Sequence, residues 1–140
     1  MRFLIFLFPL LFLSSCFQTR GEDEMTVQVR TTRSTNRGTP LYIVIKETSM
    51  ANFLIEDYHH IATQSFWKEE DPTNLTKKIL VPGKTNKFNL PIPNNKSVGI
   101  YFIFTNPGEC WKYFIDQPQS KNVKILLGKD EYEAINVYES

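Results

Sequence analysis

The sequence predicts an all-β domain, two antiparallel sheets packed as a β-sandwich, with a short helical insertion after the second strand. Three observations carry this reading. Apolar residues recur at every second position in about eight short stretches. Clusters of Asn, Gly and Pro punctuate them, as at Asn36 to Pro40, Pro82-Gly83 and Asn106-Pro107-Gly108. Only one stretch, 49–62, changes to helical spacing. Short strands without alternating helices fit a sandwich better than a parallel α/β sheet.

The elements follow in order. Residues 25–31 alternate, with Met25, Val27 and Val29 on one face and Thr26, Gln28 and Arg30 on the other, a half-buried strand. Residues 32–40 form a loop holding two arginines, Arg33 and Arg37. Residues 41–47 give the clearest strand, Leu41, Ile43 and Ile45 opposing Tyr42, Val44 and Lys46. Met50, Phe53, Leu54, Tyr58 and Ile61 then make a helical stripe with Ser49 as N-cap; one helix or two short pieces both fit. Phe66 and Trp67 precede a polar turn over 68–72.

Residues 75–81 return to alternation with mixed polarity, which leaves the buried face open. Pro82-Gly83 turns the chain. In 84–92, Phe88, Leu90 and Ile92 share a face, and Pro91 requires an edge or a strand end. Pro93-Asn94-Asn95 turns again. Val98, Ile100, Phe102 and Phe104 oppose Tyr101 and Ile103, so both faces are apolar, as in a central strand. After Asn106-Pro107-Gly108 come an aromatic strand over 111–115, a polar loop over 116–122 and an alternation of Val123, Ile125 and Leu127. Gly128-Lys129-Asp130 turns into a last strand, 132–138, with Ile135 and Val137.

The N-terminus has a different logic. Arg2 precedes an almost wholly apolar run, 3–13, of secretory-signal length and too short to span a bilayer. Ser14 and Ser15 are small, and Cys16 follows. Leu13-Ser14-Ser15-Cys16 looks like the lipobox of bacterial lipoproteins, in which cleavage before the cysteine leaves it acylated as the first mature residue. The plain alternatives are an ordinary signal peptide with a coincidental Cys16, or an uncleaved anchor. The expected organisation is a signal peptide (1–15), a lipidated Cys16 with a tether (16–24), and the β-sandwich domain (25–140).

Composition narrows function. Removing 1–15 leaves about 125 residues, one ordinary domain. Sixteen basic residues against fifteen acidic ones leave no phosphate-binding footprint, so nucleic acid is disfavoured. With Cys16 acylated, Cys110 has no partner for a disulfide and reads as a small buried hydrophobe. His59 and His60 project about 100° apart on a helix, no third ligand accompanies them, and no metal site is expected. No phosphate-binding loop, zinc-protease motif or nucleophile–base pair occurs, so neither catalysis, a cofactor nor a small-molecule substrate is expected. Trp67, Tyr101 and Tyr113 are candidates for an exposed sticky patch.

Taken together, the lipobox, the short tether, the Asn36 loop running through Gly38-Thr39-Pro40-Leu41 into Tyr42-Ile43-Val44-Ile45, the insertion with Phe53 and Tyr58, the Val81-Pro82-Gly83 turn and Trp111 form a pattern. It resembles the TssJ-type lipoproteins of type VI secretion systems. Lys46-Glu47-Thr48 stands where that family usually has Tyr-Gln-Leu, which marks a divergent member. The resemblance implies a transthyretin-like sandwich held by lipid in the inner leaflet of the outer membrane, facing the periplasm. It also implies a structural role, binding the inner-membrane protein TssM through the loop between the first two strands. Here Arg33, Asn36 and Arg37 would supply donors to a partner; a plain connecting loop has the same composition. The competing function is another small envelope lipoprotein that binds a ligand or inhibits an enzyme, using a concave aromatic pocket around Trp67, Tyr101 or Trp111.

Overall fold

Strict alternation in the first strand decides how the two sheets meet. In the computed structural model, which describes residues 23–67, 72–92 and 95–139 (side chains of 65–67 excepted), β1 (Asp23–Arg30) buries Met25, Val27 and Val29 completely. Strands β2 (Leu41–Glu47), β3 (Asn74–Leu80), β4 (Thr85–Ile92), β5 (Val98–Ile103), β6 (Lys112–Ile115), β7 (Lys121–Leu127) and β8 (Tyr132–Glu139) complete two four-stranded sheets. Their orders are β4-β1-β7-β8 and β3-β2-β5-β6. Cys16, the proposed signal segment, the side chain of Trp67, the polar turn over 68–71 and Pro93-Asn94 lie outside the described residues.

Leu41, Ile43 and Ile45 of β2, Ile100 and Phe102 of β5, and Val123, Ile125 and Leu127 of β7 meet the β1 row between the sheets. Each such side chain contributes about 1.5–3 kcal/mol by leaving water. The β-sandwich is therefore as the alternation predicts, except that β1 pairs with β7 in parallel; every other pairing is antiparallel. No hairpin links β1 to β7, so nothing local opposes a parallel match. Pro91 sits on an edge strand, as its missing N–H requires. Pro82-Gly83 does turn the chain, Gly83 at φ +86° and Lys84 N–H on the Val81 carbonyl (3.3 Å), but it carries the chain from one sheet to the other.

The insertion comprises two helices, α1 (Met50–Ile55) and α2 (Tyr58–Trp67). Ser49 caps α1 by accepting the Asn52 N–H (3.1 Å), and Asp57 accepts the His60 N–H (2.8 Å) at the start of α2. The break at 56–57 resets the helical phase. Phe53 and Ile61 therefore reach the outer face of the second sheet, packing with Val44, Tyr101, Ile103 and Trp111, while Met50 and Leu54 of the expected stripe point to solvent, 50% and 68% exposed. Tyr101 is fully buried and not part of an exposed patch; Tyr113 is half-buried against the main core.

A polar knot ties α1 down. Lys46 Nζ lies 2.8 Å from Glu56 Oε1, and the Tyr101 hydroxyl donates to Glu56 Oε2. Lys112 donates to the carbonyls of Phe53 and, at 2.7 Å, Glu56, the orphan acceptors at the helix end. Burial, and then the hydrogen bond to Glu56, push the Tyr101 phenol far above the usual tyrosine value. Burial lowers the Lys112 ammonium below the usual lysine value.

Candidate functional site

The loop between β1 and β2 is built from the inside. Thr31 starts it, its hydroxyl donating to the Lys84 carbonyl at 2.7 Å. Thr35 is fully buried; its hydroxyl accepts the Thr32 N–H (2.9 Å) and donates to the Leu127 carbonyl (2.9 Å). These bonds pin the loop to the turn before β4 and to β7, and the chain makes a tight reversal there. Asn36 and Arg37 take left-handed φ of 48° and 55°, and Gly38 follows at 80°. Asparagine and glycine tolerate that region because a short polar side chain, or none, avoids the clash a larger residue makes.

Asn36 is 1% exposed. Its amide nitrogen reaches the Thr39 carbonyl (3.1 Å), the Thr39 hydroxyl (2.9 Å) and the Pro40 carbonyl (3.1 Å), while its oxygen accepts the Thr105 N–H (2.9 Å). Asn36 thus shapes the loop from within, with its amide turned away from solvent. Arg33 and Arg37 face outward. Arg37 forms a fork with Asp130, Nε to Oδ1 at 3.0 Å and an Nη to Oδ2 at 3.1 Å. The hydrogen bond from Arg37 holds the Asp130 carboxyl below its usual value, and the same bond raises the Arg37 guanidinium. The Arg33 guanidinium has no hydrogen-bond or ion-pair partner among the described residues. The three residues named from sequence are therefore adjacent but play two roles, two arginines on the surface and one asparagine beneath them.

Sequence reasoning missed Thr35 within the loop, and Thr105 and Asp130, which the fold brings to Asn36 and Arg37 from 69 and 93 positions away. No local pattern announces such partners. The pair His59 and His60 is exposed on α2, and His60 contacts Gln64 at 2.8 Å. Among the described residues, no three His, Cys, Asp or Glu side chains gather as a metal site. Cys110 is half-buried, less so than a core hydrophobe, with its N–H on Glu131 Oε2 (2.9 Å). Tyr101 and Trp111 are packed under the helices, Trp111 against Tyr58 edge-on at 5.2 Å, and so are buried rather than open to a ligand among the described residues.

Residues 42–127 match the family model of the IglE N-terminal domain. No curated protein matches the sequence. Among solved structures, the type VI secretion lipoprotein TssJ1 from Pseudomonas aeruginosa is 15% identical, with TM-score 0.64 over 85% of this chain and 98% of that one. Serratia marcescens Lip, described as a membrane-bound component of the type VI secretion system, is 16% identical, with TM-score 0.60 over 84% and 98%. A chain in the structure of the type VI TssM C-terminal domain from EAEC is 12% identical, with TM-score 0.59 over 80% and 99%. At these identities the likeness is one of fold.

Proposed function

The chain belongs to the IglE N-terminal domain family, and on that premise we propose that it is a lipid-anchored structural component of a type VI secretion membrane complex. In this reading Cys16 carries the lipid, the tether expected over 16–24 is shortened to 16–22 because β1 takes in Asp23 and Glu24, and the domain faces the periplasm from the inner leaflet of the outer membrane. The loop over 32–40 contacts a TssM-like inner-membrane protein and ties it to the outer membrane. The role involves no catalysis.

The observation that carries the proposal is the position of the two outward arginines. Six residues lie between Cys16 and Asp23, the start of β1, at most ~25 Å of extended chain. The eight residues of β1 then run roughly 26 Å to the other end of the sandwich. The described domain therefore begins at one end of the sandwich, and Arg33 and Arg37 sit at the end to which β1 runs; in the proposed reading the lipid lies on the side of the first end. A tether between two membranes needs that arrangement. The likeness of fold to lipoproteins of type VI secretion supports it.

The test is recovery of a large inner-membrane secretion component from detergent-solubilised envelopes. Arg33→Ala/Arg37→Ala is the informative variant because Asn36 stays in place to shape the loop. The expected result is recovery with the wild type and loss with the variant. Equal recovery with both would move the contact off the arginines. Absence of such a component with wild type, from cells shown to express one, would overturn the secretion reading.

A further inference from the structure

Two open sheets have four edge strands, and each edge offers unpaired backbone N–H and C=O groups to an extended chain. Three of the four are guarded. β3 carries Lys77 and Lys78 beside a register break at Ile45/Lys46, β4 carries Lys87 and Pro91, and β6 has only four residues. β8 is eight residues long and has neither lysine nor proline; its register break opposite Leu126/Leu127 and its carboxylates, Glu133 and Glu139, fall at its two ends, so the stretch between them is unguarded. Its first N–H is taken by the Cys110 carbonyl at 2.9 Å, so its open stretch begins at Glu133.

The two surfaces beside that edge differ in chemistry. On the core side, Ile135 is half-buried and Val137 is 38% exposed, so among the described residues the apolar layer runs out to the rim without a cover. On the outer side, register places Lys124 between Gln28 and Asn136, and Arg30 beside Leu126 and Ala134. Lys87 stands across from Gln28. These rows hold three cations and no carboxylate, and a groove of about 300 Å³ lies over them. Lys124 leans over the Tyr138 ring, 5.6 Å from its centroid.

The geometry points to β8 as a strand-addition site for an extended segment of a partner protein in which apolar and acidic residues alternate. An added strand sends successive side chains to opposite faces. One set extends the layer over Ile135 and Val137. The other lies over the outer face toward Lys124 and Arg30, where carboxylates complete the charge. This goes beyond the loop contact and stands whether or not that contact exists.

The experiment uses the full chain in detergent and a short synthetic peptide of alternating valine and glutamate. Hydrogen exchange at β8 is followed residue by residue. The expected result is slowing by about tenfold or more from Glu133 onward, weakened by Val137→Lys and by Lys124→Glu. Two N-methylated peptides separate strand addition from mere stickiness. Methylating one edge of the peptide abolishes the effect and methylating the other preserves it. Equal binding of both methylated forms, or no protection of β8 at all, would overturn the proposal. Equal binding of a valine–lysine peptide would overturn its acidic part. Self-association that protects β8 and is relieved by Val137→Lys would assign the edge to a second copy and also overturn it. None of these outcomes depends on recovering a secretion component, so the two proposals fail separately.

Discussion

Replacing Asn36 with alanine tests whether one buried amide holds the loop that presents Arg33 and Arg37. The substitution has two costs that can be read apart. Alanine at φ 48° meets the left-handed clash, about 1 kcal/mol. Losing the amide strips the Thr105 N–H and two loop carbonyls of their partner; Thr39 and Pro40 are exposed enough for water to replace part of this. The hydrogen-bond part then comes to about 1–2 kcal/mol, and Asn36→Ala to roughly 2–3 kcal/mol in total. Asn36→Gly removes the clash and keeps the hydrogen-bond loss, so it should be about 1 kcal/mol milder. Asn36→Asp faces a carboxylate toward three oxygen atoms and should be the worst of the three. Urea denaturation at 25 °C measures all three. If alanine and glycine match each other and lie within about 0.5 kcal/mol of wild type, the loop is not held by Asn36 and the reasoning is wrong.

The polar knot under α1 predicts an asymmetry. Glu56→Ala leaves the Lys46 ammonium, whose side chain is 10% exposed, without its carboxylate. That should cost about 3–5 kcal/mol, whereas Lys46→Met combined with Glu56→Leu should recover much of the loss. A single-variant cost under about 1 kcal/mol in chemical denaturation would show that the ion pair is not structural. The Arg37–Asp130 fork predicts a pH dependence. The folded pKa of Asp130 lies below its ordinary 3.8, so the contribution is complete above that value and fades as pH falls through the folded one. Carboxyl NMR titration should find the midpoint depressed in wild type and restored toward 3.8 in Arg37→Ala. An unchanged midpoint would count against the fork in solution.

Most of the fold was legible because burial repeats with the period of the backbone. Met25-Val27-Val29, Leu41-Ile43-Ile45 and Val123-Ile125-Leu127 each name one face, and the structure buries all nine. The helical stripe was half legible. One helix or two short pieces both fitted it; the chain makes two, and of the stripe Phe53 and Ile61 pack inward while Met50 and Leu54 face solvent. The loop was legible as a loop and as basic. What Asn36 does was not, because its partners include a backbone N–H 69 residues away. Residues 75–81 stayed ambiguous for a physical reason. On the edge strand β3 only Leu80 is buried while Ile79 is 56% exposed, so the pattern has no face to record.

The two sheets also explain each other. The outer positions of β2 and β5, Val44, Tyr101 and Ile103, are apolar, and left bare they would form a sticky face; α1 and α2 cover them. The outer positions of β1 and β7, Gln28, Arg30 and Lys124, are polar and have no such cover among the described residues. The chain therefore decides in its alternation which face is closed. The polar knot follows from that decision, since helices laid on an apolar surface could slide, and Lys46 with Tyr101 fixes Glu56 at one place. The basic face and the β8 edge follow from it too. Among the described residues they form a broad uncovered surface, on a different side of the domain from the loop. The role proposed above would find two chemically distinct surfaces here, an arginine pair at the tip and a strand edge along the flank.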